Sequence, residues 1–181
     1  FRTRAARMAY EYQQAIDEWK KALALSPRQP EIFNNLGNAY SKLNQHREAI
    51  ETWQKILDLT PDSSEVYFKL GSAYGKLDDL EKAIKSWEKC ISLNPNDIEA
   101  HFNLGVAQYN SDNFQKAIGY WNTVREKRSE DADICEKIGN AYCGLEDFGE
   151  AAKFWNRAIS YVSDDPQLHH KLGIAYSKLN K

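Results

Sequence analysis

Long hydrophobic runs are missing from this sequence. No stretch of about 18 consecutive apolar residues occurs, so no segment reads as a membrane-spanning helix and no direct membrane insertion is expected. The first residues, Phe1-Arg2-Thr3-Arg4-Ala5-Ala6-Arg7-Met8, lack the apolar centre of a secretory signal. An excess of charge of one sign is missing too. Lys and Arg number 24 against 26 Asp and Glu, the net charge is -2 and the isoelectric point is about 6.1. No global field then draws the chain to nucleic acid or an anionic membrane, and no nucleic-acid partner is expected. The run Arg125-Glu126-Lys127-Arg128 is short and broken by an acid, and reads as a solvated loop. Cysteine is scarce: Cys90, Cys135 and Cys143 are odd in number and form no Cys-x-x-Cys pair, which excludes a disulfide framework and a zinc knuckle. Free thiols fit a reducing compartment, and a cytoplasmic location is expected. The four histidines, His46, His101, His169 and His170, offer no pair four residues apart with a third ligand nearby. No metal, no cofactor and no catalytic constellation are therefore expected, and the chain does not read as an enzyme.

What the sequence has is a period. Its five tryptophans, Trp19, Trp53, Trp87, Trp121 and Trp155, follow one another at steps of 34 residues. Ala15, Ala49, Ala83, Ala117 and Ala151 keep the same step, as do Gly37, Gly71, Gly105, Gly139 and Gly173. A period of this size marks a repeat architecture. Within one period Phe33, Leu36, Gly37 and Tyr40 fall on one helical face, and Ala49, Ile50, Trp53, Ile56 and Leu57 on another. Between them lies the short polar pair Asn44-Gln45, repeated as Asp78-Asp79, Asp112-Asn113 and Glu146-Asp147, residue types that cap a following helix. Ser63, Asp97, Asp131 and Asp165 are further N-cap positions, and Pro30 and Pro166 stand where a first-turn proline is tolerated. Each period is thus a helical hairpin. The tryptophans share a face with apolar residues and are expected to plug the space between helices rather than stack on a ligand. His101 and His169 occupy an aromatic core position and Cys90 a small-residue one.

These residues resemble the tetratricopeptide repeat (TPR) family. Its pattern of a large residue, Leu-Gly, Tyr, Ala, an aromatic, a small residue and Pro is met by Tyr67, Leu70, Gly71, Tyr74, Ala83, Trp87, Cys90 and Pro95. The resemblance covers essentially the whole chain and implies an all-α fold, a right-handed superhelical solenoid of stacked antiparallel hairpins. It divides the chain into a partial repeat (1–29), full repeats (30–63, 64–97, 98–131, 132–165) and a terminal helix (166–181). Gln108 stands in place of the tyrosine, and Ser129 and Ser163 in place of the closing proline, so repeats three and four are expected to be less tightly jointed.

The resemblance also implies that the first helices line a concave wall, so the polar stripe left after subtracting their core is the candidate peptide-binding groove. It comprises Asn35, Asn38 and Lys42 in the first full repeat, Phe68, Lys69 and Lys76 in the second, and Phe102 and Asn103 in the third. Lys137 and Asn140 follow in the fourth, with Lys171 and Lys178 in the terminal helix. Asparagine amides suit an extended backbone, and lysines suit carboxylates or phosphates. Lys69 and Lys137 have Glu65 and Asp133 one turn earlier, whereas Lys42, Lys76, Lys171 and Lys178 have no acid at that spacing and read as the freer cations. The lysine–asparagine clamp by which some TPR domains hold a chaperone C-terminus is absent: its opening Lys-x-x-x-Asn would fall on Asn34 and Asn38, Phe68 and Ser72, or Glu136 and Asn140. The expected function is a scaffold binding a protein or peptide with acidic groups. The alternative is a homo-oligomer assembled through repeat ends, where Leu172, Ala175 and Leu179 are expected to lie uncovered.

Overall fold

A computed structural model describes residues 3–162 and 164–180; Ser163 falls outside them, as do Phe1, Arg2 and Lys181. The described residues form ten helices and no strand: α1 (Arg4–Leu25), α2 (Pro30–Lys42), α3 (His46–Leu57), α4 (Ser64–Lys76), α5 (Leu80–Leu93), α6 (Ile98–Asn110), α7 (Phe114–Lys127), α8 (Ala132–Gly144), α9 (Phe148–Tyr161) and α10 (Pro166–Leu179). They fall into two compact units, Phe1–Pro95 with α1–α5 and Asn96–Lys181 with α6–α10.

Helix starts follow from local chemistry. The side chains of Ser63, Asp97, Asp131 and Asp165 accept from backbone amides of α4, α6, α8 and α10, at 3.4 Å for Ser63 on Val66 and 2.9 Å for Asp97 on Ala100. Pro30 and Pro166 occupy first-turn positions, where the missing N–H costs nothing. The four polar pairs divide their labour. The first residue of each, Asn44, Asp78, Asp112 and Glu146, takes a left-handed backbone with φ of 57° to 59°. The next residue's amide then reaches the carbonyl five back, Gln45 on Tyr40 at 2.9 Å and Asp147 on Tyr142 at 3.0 Å, in a Schellman-type helix ending. Only Asp79 and Asp147 go on to cap the next helix with their side chains; Gln45 and Asn113 do not.

Two of the periodic residue types meet in the core. Trp53, Trp87, Trp121 and Trp155 are buried, and each indole lies against the glycine of the preceding helix. A Cβ on Gly105 would sit 2.2 Å from Trp121 Nε1, and one on Gly37 would sit 2.3 Å from Trp53 Nε1. Helix and indole approach this closely only because the side chain is absent. Trp19 departs from the expectation and is half-buried: it packs against the cluster of Ile16, Leu36 and Ala39, and no described glycine lies against its indole.

Several other expectations are corrected. Gln108, standing in the tyrosine's place, is buried, and its Oε1 accepts from Asn113 Nδ2 at 3.0 Å. The joint at Ser129 is tied as well: Tyr161 donates to the Ser129 carbonyl at 3.0 Å, and Arg128 forms an ion pair with Glu99. Arg125–Lys127 is the last turn of α7 rather than a loop, and Arg125 lies over the Phe154 ring. His169 is exposed, not packed. Leu172 and Ala175 are buried against α9, so the apolar residues that α10 exposes are Ile174, Tyr176 and Leu179. Cys90 is fully buried, as its position in the pattern implied.

Candidate functional site

Helices α2, α4, α6 and α8 open the successive hairpins, α10 takes the equivalent place after α9, and clefts lie between consecutive members of this set within each unit. In the first unit a cleft of about 410 Å³ separates α2 from α4. Asn38, Ser41 and Lys42 form its α2 wall, and Phe68, Lys69, Ser72 and Lys76 its α4 wall, while Trp53 and His46 contribute from α3. In the second unit Val106, Tyr109, Asn110, Trp121, Lys137 and Asn140 line about 200 Å³ between α6 and α8. Tyr109, Asn140, Cys143, Trp155, Lys171 and Ile174 line about 300 Å³ between α8 and α10. The three linings are the same repeat positions. Each has a buried indole as its floor, a lysine from the later helix (69, 137 or 171), and residue 38, 106 or 140 from the earlier one.

The electrostatics of the three differ. Lys69 Nζ is 2.6 Å from Glu65 Oε1 and donates to Asn34 Oδ1 at 2.7 Å. Lys137 pairs with Asp133 at 3.1 Å and lies over the Phe102 ring, 5.7 Å from its centre. Lys171, expected to be a free cation, is not one. Its ammonium pairs with Glu136 at 2.5 Å and donates to Asn140 Oδ1 at 3.0 Å, both on α8. No acid precedes it by one turn; the partner stands 35 residues earlier on the adjacent helix. Lys42, Lys76 and Lys178 are exposed and form no ion pair among the described residues.

Asn35 and Asn103, half-buried on α2 and α6, and Lys178 on α10 stand outside the three linings; Phe102 is partly buried in the core beneath Lys137. Sequence reasoning had set the tryptophans aside as core and had not placed His46, Tyr109 or Cys143 in the groove. The signal was present for the last two, which follow Ser41, between Asn38 and Lys42 on α2, at whole multiples of the period.

The floor indoles are not equally satisfied. Trp155 Nε1 donates to Asn140 Oδ1 at 3.2 Å, and Trp121 Nε1 to the Phe102 carbonyl at 3.3 Å. Trp53 Nε1 and His46 Nδ1 are buried without a hydrogen-bond partner. Cys135, buried on α8, has its thiol pKa pushed up by burial, against a smaller opposing pull from Arg157 and Arg125. Among the described residues no three His, Cys, Asp or Glu side chains come together as a metal site, and no helix is long and apolar enough to cross a membrane.

The sequence matches the family profile described as TPR repeat over residues 11–44, 37–78, 76–112 and 139–180. No curated protein matches it. Among solved structures, a crystal structure of the MamA protein is 28% identical, covering 86% of this chain and 85% of that one with a TM-score of 0.79. A second crystal structure of MamA is 26% identical over 90% of this chain and 96% of that chain, also with a TM-score of 0.79. The crystal structure of YrrB, described as a TPR protein with an unusual peptide-binding site, is 25% identical over 89% of this chain and 83% of that chain, with a TM-score of 0.77.

Proposed function

We propose, from the premise that this chain belongs to the tetratricopeptide repeat family, that it is a protein-interaction module whose first-helix face holds an extended peptide carrying acidic groups. The observation that carries the reading is the recurrence of one cleft, with an apolar floor and a lysine-and-amide rim, at equivalent positions of the repeat. A recurring cleft suits a ligand that is itself extended and repetitive in its backbone. YrrB, whose published description names a peptide-binding site, supports the same reading. Lysines at 42 and 76 supply the acidic preference, and Asn38 and Asn140 supply amides for a peptide backbone. The test is selection from a random displayed peptide library. Enrichment of peptides whose capture falls at least about tenfold on Asn38→Ala/Asn140→Ala is the expected result. Selected peptides that bind this variant as well as the parent would place the site elsewhere.

A second reading, self-assembly, is favoured by the exposed Ile174, Tyr176 and Leu179 of α10, at 44%, 49% and 52%. Mass by light scattering that rises with concentration, and that Ile174→Lys/Leu179→Lys returns to the monomer value, is its expected signature. A constant monomer mass excludes it.

A further inference from the structure

We infer that the cleft between α2 and α4 is a seat for a single carboxylate of an acidic peptide, with Asn38, Lys42 and Lys76 as the groups that receive it. The inference rests on the peptide-binding reading above and specifies which cleft reads charge.

The first argument is a missing acceptor. Trp53 is 3% exposed, lines the cleft, and its Nε1–H finds no partner. A Cβ on Gly37 would lie 2.3 Å from that nitrogen and 2.6 and 2.8 Å from the ring carbons beside it, so the indole face at Nε1 lies against α2, the helix that also carries Asn38. In the α8–α10 cleft the equivalent indole is answered by Asn140 Oδ1 at 3.2 Å, and in the α6–α8 cleft by the Phe102 carbonyl at 3.3 Å. Among the three clefts only this one leaves its floor donor unanswered. Asn38 is the repeat equivalent of Asn140, yet its amide makes no hydrogen bond with a described residue. A buried donor without an acceptor is costly, and a ligand that fixes Asn38 relieves the cost. Turned as Asn140 is, Asn38 accepts the indole N–H with Oδ1 and presents Nδ2 to the ligand.

The second argument is charge. Lys42 and Lys76 line this cleft without an ion pair, and no Asp or Glu is among its lining residues. The α8–α10 cleft supplies its own carboxylate instead: Glu136 neutralises Lys171. The residue equivalent to Glu136 in α2 is Asn34, whose Oδ1 is already taken by Lys69. One cleft is therefore internally neutralised and the other is left cationic. An anion brought by a ligand gains most where no internal acid competes for the donors.

The test uses the full chain, labelled with nitrogen-15, and reads its indole N–H resonances, with the Trp53 signal identified by Trp53→Phe. The probes are acetyl-Ala-Asp-Ala-Asp-Ala-amide and the same peptide with Asn for Asp. The expected result is a saturable shift of the Trp53 signal by the Asp peptide, weakened about tenfold or more in Lys42→Ser/Lys76→Ser and absent with the Asn peptide. Both lysines are exposed, so an unmoved Trp53 resonance in the unliganded double variant confirms that the fold is retained. Glu136→Gln, which frees Lys171, is expected to make the Trp155 signal respond to the Asp peptide as well. Equal shifts from the two peptides would remove the carboxylate seat while leaving the peptide groove standing. No shift of Trp53 by the Asp peptide, with library-selected peptides still dependent on Asn140, would overturn the seat and spare the wider reading. Loss of both signals together would overturn both.

Discussion

At the scale of the residue, the glycine and tryptophan ladders are two halves of one contact. Gly105→Ala would drive a methyl to 2.2 Å from Trp121 Nε1 and displace an indole that also donates to the Phe102 carbonyl. A loss of about 2–3 kcal/mol is expected. Gly173 is the control, because a Cβ there meets nothing within 4 Å. Gly173→Ala removes a mid-helix glycine without a clash and is expected to gain about 1 kcal/mol. Urea denaturation midpoints decide; equal midpoints for the two variants would remove the glycine–indole argument. A second residue-scale case is Glu146, held at φ 59° by the turn between α8 and α9. The same turn carries Asn or Asp in the other three hairpins, side chains that tolerate the left-handed region better. Glu146→Gly is expected to add about 0.5–1 kcal/mol in the same assay, and a destabilised variant would show that the Glu146 side chain compensates the strain. The period revealed both ladders, but not that they touch, since the meeting of Gly37 with Trp53 depends on how two helices approach.

At the scale of the element, helix starts were legible because an N-cap acts on amides two or three residues away. Asp131→Ala is expected to cost about 1 kcal/mol through the lost acceptor for the Ile134 amide. A thermal melt unchanged by the substitution would sink that role. Pairing between helices was not legible in the same way. One-turn spacing found the partners of Lys69 and Lys137 but missed that of Lys171, because Glu136 belongs to the neighbouring helix. Gln108 is similar: read alone it is a polar intruder, and it becomes a satisfied core group only beside Asn113. Cys135 shows an element's burial setting a titration. Its folded thiol pKa is raised, so the stabilisation tied to the neutral thiol is fully present below the unfolded thiol pKa of about 8.5 and is lost as pH rises through the higher folded value. The parent is expected to lose more stability between neutral and strongly alkaline pH than Cys135→Ala does, as read from urea midpoints. Parallel pH profiles would count against that coupling.

At the scale of the whole molecule, the extensive packing is between helices adjacent in sequence, hairpin with hairpin, in both units. Contacts of this kind close short loops and place little entropy cost ahead of the rewarding contacts. The main refolding phase is accordingly expected within milliseconds by stopped-flow fluorescence, which five tryptophans make a direct probe. A dominant phase of a second or longer would show that non-local contacts control the barrier. Charge at this scale has little to do with recognition, because the net value of -2 supplies no steering field. Selectivity falls to individual clefts and to whether each carries its own acid.

The repeat, its helices, the caps at Ser63, Asp97, Asp131 and Asp165 and most of the positions that face the core were determined by the sequence itself, because periodicity and capping are local and a step of 34 residues records the hairpin directly. Which lysines remain free, which indoles lack an acceptor and which glycine clears which ring were decided only by the tertiary structure. Those properties belong to pairs of side chains on different helices, and the distance between such a pair depends on packing rather than on separation along the chain. That is why Lys171 changed from free cation to neutralised partner, while Lys42 and Lys76 remain available beside Trp53.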